Sequence, residues 1–409
     1  MSATIKQIDK KKILAPKLRF KEFHETWSLL KLSELLEFKN GINASKEQYG
    51  RGFKFINVLD ILNNDYITHD AIIGSVDVDE ATVLKYPVNY GDILFQRSSE
   101  TREEVGTACV YLDTKTATFG GFVIRGRKIG NYDPMFLNKL LKTDLSRNEI
   151  TSKSGGSTRY NVGQETLSSV ALHFPTLPEQ QKIASFLSAI DEKIQQLTRK
   201  KELLEQYKKG VMQQLFSGKL RFKDKKGNAY PNWENKLFGD VCNFINGKAY
   251  KQEELLSQGK YRVLRVGNLF SNNEWYYSDL ELENNKYIEN GDLIYAWSAT
   301  FGPRFWEEEK VIYHYHIWKV IPNDLVDKYF LYHAFDFDVE RIKAVSQGGT
   351  MFHITKGNIE TRKFNFPCKE EQQKIASFLS CIDNKLESVA NQIKQTQTFK
   401  KGLLQQMFV

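Results

Sequence analysis

Two stretches of the chain carry apolar residues at a period of seven, a pattern typical of a coiled-coil seam. The period runs through Ile183, Ile190, Leu197, Leu204 and Val211 in the first stretch, and through Ile375, Ile382, Val389, Thr396 and Leu403 in the second. The pattern predicts two helices of about 38 residues, each about 57 Å long. Because one chain supplies both seams, we expect the helices to pair within the chain and to run antiparallel. A coiled coil between two chains is the alternative.

The helices belong to a larger internal repeat. Glu179–Ile194 reads EQQKIASFLSAIDEKI and Glu371–Leu386 reads EQQKIASFLSCIDNKL, with thirteen of sixteen positions identical at an offset of 192 residues. The helix ends also match, as KKGVMQQLF from Lys208 and KKGLLQQMF from Lys400. Weaker matches lie upstream in the same order: LRFK at Leu18 and Leu220, Trp27 and Trp233, Asn40-Gly41 and Asn246-Gly247, and YGDILF at Tyr90 and NGDLIY at Asn290. The chain is therefore two tandem copies, each a variable body followed by a long helix.

Each body is predicted to be a mixed α/β fold of many short strands. The predicted strands are 53–59, 92–96, 107–111, 119–125, 261–266, 292–297, 310–320 and 362–366, and the predicted helices are 134–145 and 326–344. We divide the chain into a leader (1–17), a first body (18–176), a first helix (177–217), a second body (218–368) and a second helix (369–409).

Basic and aromatic residues alternate in the predicted loops of both bodies, as expected of a nucleic-acid-binding surface. Arginine can read guanine edges with a bidentate fork, and lysine holds phosphates. A solvated or packing role is the alternative for any single residue. The candidate DNA-binding residues are Arg97, Arg102, Arg125, Lys153, Arg159, Tyr160, Lys248, Tyr250, Lys251, Trp297, Arg304, Phe352, His353 and Lys356.

Composition constrains the function only loosely. Lysine and arginine number 58 against 50 aspartates and glutamates, and the resulting charge of +8 is compatible with a polyanionic partner but is also common in cytosolic proteins. The four cysteines lack CxxC spacing, Met1–Lys12 lacks the apolar core of a secretory signal, and no apolar run is long enough to span a membrane. We therefore expect a cytoplasmic protein without a disulfide framework or a zinc site.

Sequence motifs for catalysis are missing. There is no GxxxxGK[ST] phosphate loop, no GxGxxG after a strand and no nucleophile elbow. Asn365-Phe366-Pro367 is followed by Cys368 and not by the second proline and aromatic residue of an amino-methyltransferase motif. His314 and His316 fall on one face of a predicted strand without a third ligand nearby, so a packed or surface pair is favoured over a metal site. We expect the chain alone to catalyse nothing and to bind no metal.

A family resemblance covers residues 18–409. It is carried by the doubled EQQKIASFL, the LRFK and Trp that open each copy, the Gly-Asp strands and the KKG(V/L)(M/L)QQ(L/M)F ends. The chain resembles the specificity subunit of type I restriction-modification systems. One departure is Glu370, which stands where the first copy has Pro178.

The resemblance implies an α/β (α+β) fold with two globular target-recognition domains, separated by two long antiparallel coiled-coil helices in a pseudo-two-fold repeat. Each domain would read one half of a split DNA target, and the helices would set the gap. It also implies partners: double-stranded DNA, two modification subunits that methylate adenine with S-adenosylmethionine, and restriction subunits that use ATP and Mg. This chain would bind none of these cofactors. Docking of the modification subunits is expected at Gln180, Gln181, Lys182, Gln372, Gln373 and Lys374.

Two other functions remain open at the level of sequence. A homodimeric coiled-coil scaffold that binds protein or carbohydrate would be a dimer in isolation and would gain no DNA affinity from a methyltransferase subunit. A self-sufficient methyltransferase would transfer methyl groups as a lone chain, although the missing motifs count against it.

Overall fold

The computed structural model describes residues 15–270, 272–298, 301–345 and 354–409. The chain divides into two compact units that do not follow the order of the sequence. Unit 1 contains residues 1–196 and 392–409, and unit 2 contains residues 197–391. Each unit therefore combines one body with the first part of its own long helix and the last part of the other.

Each body is built on a four-stranded antiparallel sheet. In unit 1 its strands lie in the order Leu36–Asn40, Val123–Lys128, Ile93–Gln96 and Ala108–Val110. In unit 2 the matching order is Cys242–Asn246, Ile317–Pro322, Leu293–Ala296 and Gly302–Phe305. The inner strands Ile93–Gln96 and Leu293–Ala296 are buried along their whole length, so they form the centre of each body's core.

A second sheet accompanies the first in each body and includes one parallel strand pair. In unit 1 it contains Ser75–Val76, Tyr49–Ile56 and Thr118–Phe119. In unit 2 it contains Tyr276–Ser278, Tyr261–Leu264, Val311–Tyr313 and Tyr287–Ile288. Shorter antiparallel pairs join Ser28–Lys31 to Ala171–Phe174, Ser98–Ser99 to Tyr160–Asn161, and Glu234–Leu237 to Lys363–Phe366.

The bodies also contain other α-helices, most of them short, and single helical turns. In unit 1 the α-helices are Leu32–Leu35, Val58–Leu62, Glu80–Lys85, Pro134–Leu140, Asp144–Ser152 and Gln164–Ser168. In unit 2 they are Phe238–Val241, Val266–Phe270, Lys328–Val345 and Lys356–Glu360. Turns of 3-10 helix lie at Lys46–Gln48, Gln252–Glu254 and Asn284–Lys286. The predicted helix 134–145 is in fact two helices, because Thr143 caps the second one by accepting a hydrogen bond from the Ser146 amide.

The long helices extend over Leu177–Phe216 and Lys369–Gln406, close to the predicted limits. In unit 1 the start of the first helix runs antiparallel to the end of the second. Asp191 of the first helix pairs with Lys400 of the second, and Gln406, further along the second helix, lies nearer the start of the first, where its carbonyl accepts from the Leu18 amide. In unit 2 the end of the first helix packs on the start of the second in the same way, with Lys208 beside Asp383 at 2.7 Å. The predicted pairing within one chain is confirmed for each unit.

The seven-residue seam is the buried face of both helices. Ile183, Leu187 and Ile190 join Leu403, Met407 and Phe408 in the core of unit 1. In unit 2, Val211, Met212 and Leu215 join Ile375, Leu379 and Ile382 in the corresponding core. The helix ends that carry the repeated KKG motif are therefore part of the core of the unit built by the other copy.

Each Gly-Asp pair closes a turn before a central strand. Gly91 and Gly291 have φ of +89° and +84°, a left-handed conformation that favours glycine. The Asp92 carboxylate accepts from the backbone amides of Asn89 and Lys128 at 2.9 and 3.1 Å, and its burial raises its pKa. Asp292 accepts from the Glu289 amide at 2.8 Å. The repeated motif thus has a structural role in the turn.

Four predicted strands end earlier or are interrupted, and one of them is 119–125, which is broken by a turn at Gly121 and Phe122. The strands predicted at 53–59 and 261–266 give way to helices that begin at Val58 and Val266. The strand predicted at 310–320 is broken by a turn at Tyr315 and His316. The expectation that His314 and His316 share one face of a strand is therefore wrong, because the backbone turns between them to reach a different sheet.

Candidate nucleic-acid interface

A buried glutamate at the start of each long helix anchors the opening residues of its copy. In unit 1, Glu179 is fully buried and accepts two hydrogen bonds from Arg19, both at 2.7 Å, and one from Trp27 Nε1 at 3.4 Å. The hydrogen bond to Glu179 raises the pKa of Arg19. This contact explains why the Arg of LRFK, the Trp and the Glu of EQQ recur together.

Unit 2 repeats the anchor with the second set of residues. Glu371 accepts from Arg221 at 3.1 and 2.6 Å and from Trp233 Nε1 at 3.0 Å. Its carboxylate is fully buried, as in unit 1, and it raises the pKa of Arg221. The two bodies are therefore attached to their helices by the same bidentate ion pair.

Gln180 and Gln372 are not exposed, and the expectation that they are available for docking is wrong. Gln180 is 4% exposed; its amide donates to the Pro175 carbonyl at 2.9 Å and its oxygen accepts from the Asp133 amide at 3.0 Å. Gln372 is 1% exposed and bonds the Pro367 carbonyl and the Asp327 amide in the same manner. Their side chains complete the hydrogen bonds at the start of a body helix instead.

The other candidate docking residues lie on the surface of the helix starts. Gln181, Lys182 and Gln373 are exposed, and Lys374 is half-buried. Lys182 forms an ion pair with Glu22 at 2.9 Å, and Lys374 donates to the Lys223 carbonyl. Partner docking at these four residues stays a prediction.

The repeated Asn-Gly pair lies at a close crossing of loops in both units. We name this feature the loop crossing; it comprises residues 41–42, 97 and 119–123 in unit 1 and residues 247–248, 297 and 313–317 in unit 2. In unit 1 the bonds run from the amides of Gly41, Ile42 and Arg97 to the carbonyls of Val123, Phe119 and Phe122, at 3.2, 2.9 and 2.9 Å. In unit 2 they run from Gly247, Lys248 and Trp297 to Ile317, Tyr313 and His316, at 3.2, 2.9 and 3.1 Å.

Glycine is required at this crossing because two backbones meet there. A Cβ on Gly41 would lie 2.2 Å from the Gly120 carbonyl oxygen, and a Cβ on Gly247 would lie 2.2 Å from the Tyr313 carbonyl oxygen. The scaffold of the two loop crossings is thus the same, although the side chains that it presents differ.

Five of the six predicted DNA-binding residues of unit 1 lie in adjoining loops. The short strand after Arg97 pairs with the strand that starts at Tyr160, and the Val162 amide donates to the Arg97 carbonyl at 3.0 Å. Arg102 donates to the Thr151 carbonyl at 3.2 Å, next to Lys153. In the described part of the chain no carboxylate lies within ion-pair distance of Arg97, Arg102 or Arg159, whereas Lys153 pairs with Glu149. We name these five residues the basic patch: Arg97, Arg102, Lys153, Arg159 and Tyr160.

Arg125 does not belong to the basic patch, and its assignment to a DNA-binding surface is wrong. The residue is 3% exposed in a central strand, where its guanidinium donates to the Pro87 carbonyl and lies over the Phe119 ring. Burial lowers its pKa. A side chain held in this way has no access to a duplex.

Unit 2 presents an aromatic cluster at the corresponding place. The Trp297 ring lies 4.8 Å from His316 and 5.9 Å from Trp318, and its Nε1 donates to the Tyr315 carbonyl at 2.8 Å. The Tyr250 ring stacks near His314 at 6.3 Å. Burial, together with neighbouring His316 and Arg265, lowers the pKa of His314 to about 4, so this imidazole is neutral at pH 7.

The charged candidates of unit 2 are mostly paired. Lys248 binds Glu254 at 2.6 Å, Lys251 lies 3.8 Å from Glu253, and Lys356 lies 3.6 Å from Glu360. Arg304 is exposed over the Phe270 ring, and no contact within the described ranges joins it to the aromatic cluster. Phe352 and His353 lie outside the described residues.

Sequence reasoning missed the exposed ring of Phe122 and the two residues Tyr315 and His316. The signal that could have found them is the Asn-Gly pair, since the segment that crosses each glycine is the one that carries these side chains. Among the residues that the structure describes, no group of three or more His, Cys, Asp or Glu side chains has the geometry of a metal site.

A family model described as the type I restriction modification DNA specificity domain matches the chain twice, at residues 24–206 and 230–396. The chain belongs to this family. The matches cover most of both copies, so the internal repeat is a repeat of the specificity domain.

Similar proteins carry the same assignment. A protein of Methanocaldococcus jannaschii named as the MjaX specificity subunit of a type I restriction enzyme is 24% identical over 401 residues, covering 94% of this chain and 93% of its own. The S subunit of the type I restriction-modification system of M. genitalium has a similar fold, with a TM-score of 0.60, 18% identity and coverage of 97% and 99% of the two chains. A second solved structure, described as showing complex assembly and conformational transition of the type I R-M system, also has a similar fold. Its TM-score is 0.56 at 16% identity, and the match covers 92% of this chain and 96% of that one.

The function of this specificity subunit is DNA target recognition in a type I restriction-modification system. In the parts of the chain that the structure describes, no helix is both long and apolar enough to cross a bilayer.

Proposed function

We propose that each unit recognises one half of a split DNA target and that the paired helices set the number of base pairs between the halves. The observation that carries this proposal is the loop crossing, where one backbone scaffold presents Arg97 of the basic patch in unit 1 and Trp297 of the aromatic cluster in unit 2. Identical scaffolds with different side chains are what two different half-sites require, because base edges are distinguished by the chemistry of the side chains that meet them.

The remaining parts of the proposal concern the partners. Two modification subunits dock on the two helix starts, which offer Gln181 and Lys182 in one copy and Gln373 and Lys374 in the other. Restriction subunits join through them, and the assembly works in the cytoplasm as an adenine methyltransferase and site-specific endonuclease. S-adenosylmethionine, ATP and Mg bind the partners, while this chain supplies recognition only.

The test is methylome sequencing of cells that carry the complete system. We expect methylated adenines in a motif with two defined halves and a fixed gap. A continuous motif, or a methylome unchanged by deletion of this chain, would contradict the proposal. The scaffold alternative is tested by DNA binding of the purified chain with and without a modification subunit, because only a specificity subunit gains affinity from that addition.

The gap is tested by changing helix length between the two interhelical ion pairs. Four residues are inserted after Leu197 in the first helix and four after Val389 in the second, so that both lengthen by about one turn, or 6 Å. At about 3.4 Å per base pair, we expect the gap to grow by about two base pairs. The control carries four extra residues at Ser217–Lys219, beyond the end of the first helix, and keeps the original gap. An unchanged gap in the helix variant would refute the role of the helices.

A further inference from the structure

Arg97 and Trp297 occupy the same structural position in the two units. The backbone amide of each donates a hydrogen bond to the segment that crosses the glycine of the Asn-Gly pair. Arg97 donates to the Phe122 carbonyl at 2.9 Å, and Trp297 donates to the His316 carbonyl at 3.1 Å. Each also accepts at its carbonyl, from Val162 at 3.0 Å and from Ile354 at 3.2 Å. The backbone is therefore held from both sides in the same way, and the two units differ at this position only in the side chain that they present.

In unit 1 this position offers a guanidinium in open surroundings. Arg97 is exposed, and its Nη1 donates to the Gly121 carbonyl with a long hydrogen bond of 3.3 Å. The neighbouring Gly120 and Gly121 present no side chains, and the Phe122 ring beside them is 65% exposed. Most of the guanidinium fork is thus available to a ligand, with an exposed aromatic ring next to it.

In unit 2 the side chain at this position is an indole, which carries no charge. Trp297 lies against His316, and His314 behind it is neutral at pH 7. The nearest lysine of this loop crossing, Lys248, is held by Glu254 at 2.6 and 2.7 Å. The indole Nε1 of Trp297 is already donated to the Tyr315 carbonyl at 2.8 Å, so what this side chain offers to a base is its apolar ring.

We propose that this position determines one base in each half of the target: Arg97 requires a guanine, and Trp297 selects its base by apolar contact, as with the methyl group of thymine. The physical reason is that the guanidinium fork matches the O6 and N7 acceptors of guanine, whereas an indole ring cannot supply two parallel donors. This inference rests on the proposed function, because it assumes that each unit reads one half-site.

The test is methylome sequencing of the complete system with substitutions at position 97. Arg97→Gln replaces the fork that fits guanine with an amide that fits adenine, so one position in one half-site should change from guanine to adenine. Its preference for guanine should fall by about 5- to 150-fold, the range for loss of one bidentate contact. Arg97→Lys should weaken the same preference without creating one for adenine. The gap and the other half-site should stay as they are.

The matched control is Arg127→Gln, since Arg127 is a half-exposed arginine on the same body that is paired with Glu37. It should leave the motif unchanged. For unit 2, Trp297→Phe keeps a ring and should relax one base of the other half-site, while Trp275→Phe should not. Thermal unfolding of each variant confirms that the fold is retained.

The outcomes separate this inference from the proposed function. If the wild-type motif is split but Arg97→Gln leaves it unchanged, or lowers methylation equally at all sites, Arg97 is at most a phosphate contact and the inference is wrong. The same holds if Arg97→Gln and Trp297→Phe alter the same half-site. If the wild-type motif is not split, the proposed function itself fails.

Discussion

The long helices meet at the same aspartate in both units, but the residues around it differ. In unit 1, Asp191 contacts two lysines, Lys400 from the other helix and Lys139 from the body. In unit 2, the equivalent Asp383 contacts Lys208 at 2.7 Å, and the place of Lys139 is taken by His333, whose Nδ1 lies 3.8 Å away. The repeat therefore preserves the pair between the helices and varies the residue that the body adds.

This difference changes the electrostatics of the two contacts. Burial alone would raise the pKa of Asp191, but the hydrogen bonds from its two lysines outweigh it and the pKa is lowered. Burial raises the pKa of Asp383, because Lys208 is shared with Asp336, 3.1 Å away, and does not offset the cost. One contact is thus a well-compensated buried ion pair, and the other is a polar cluster with an excess of acidic groups.

The largest expected effect on stability comes from removing the charge of the aspartate at which the helices meet. Asp191→Asn leaves the buried Lys139, whose side chain is 4% exposed, without a charge partner, so we expect a loss of about 3 to 5 kcal/mol in the free energy of unfolding. Asp383→Asn is the matched control. Lys208 keeps Asp336 there, and we expect a loss of about 1.5 kcal/mol. Urea unfolding of the full chain measures both, and equal losses would contradict the assignment.

A second pair of variants tests whether the buried glutamate anchors of the two units are equivalent. Glu179→Gln and Glu371→Gln each remove the charge that holds one arginine and one tryptophan at a fully buried site, so we expect matched losses of about 2 to 3 kcal/mol in the free energy of unfolding. The neighbouring Glu370, which is exposed, serves as the control, and Glu370→Gln should change the stability by less than about 0.5 kcal/mol. A loss confined to one copy would show that the anchors are not equivalent.

The third prediction sharpens the comparison through pH. Burial lowers the pKa of His333 from 6.5 to about 3, so the folded chain keeps this imidazole neutral while the unfolded chain takes up a proton below pH 6.5. Its contribution is present above pH 6.5 and is lost as the pH falls from 6.5 towards 3, by about 2 kcal/mol at pH 5. In unit 1 the lowered pKa of Asp191 maintains stability down to its unfolded value of 3.8, and the contribution is lost only below that.

Hydrogen exchange at pH 7 and pH 5 measures this difference, because it reports the two units separately. We expect protection to fall in peptides of unit 2 around residues 328–345 and to persist in unit 1 around residues 134–140. The control is His333→Gln, in which that part of the pH dependence should disappear. The raised pKa of Asp383 acts in the opposite direction, and the difference between wild type and His333→Gln isolates the histidine. Equal loss of protection in both units would be evidence against this account.

The smallest expected effect concerns Gly210 and Gly402, near the ends of the helices. A Cβ on either glycine would meet nothing within 4 Å, so neither marks a close approach of backbones. Gly210→Ala and Gly402→Ala should each raise the free energy of unfolding by about 0.5 to 1 kcal/mol, because alanine is the better helix former. Gly41→Ala is the contrasting control and should destabilise, since its Cβ would overlap the Gly120 carbonyl. A destabilising change at position 210 or 402 in calorimetry would contradict this assignment.

Much of the fold could be predicted from local patterns. The seam of each long helix followed from its period of seven, and residues of that seam such as Ile183 and Ile375 are buried. The repeat identified the anchors, although not their chemistry. The errors arose where contacts are non-local: Arg125 and Gln180 have the composition of surface residues, and each is buried by a segment far away in the chain, at Pro87 and Asp133.

The amino-acid sequence by itself determined that the chain consists of two tandem copies, that each copy ends in a long helix, and that the two copies differ in their bodies. These properties depend on periodicity and on identity between copies, which need no coordinates. Only the tertiary structure decided that each compact unit contains a helix end from the other copy and that Arg97 and Trp297 are equivalent. It also decided that the body places a lysine beside the helix aspartate in unit 1 and a histidine in unit 2. Such facts depend on which distant segments share a buried space, and burial with its cost for unpaired polar groups acts between side chains that sequence order does not bring together.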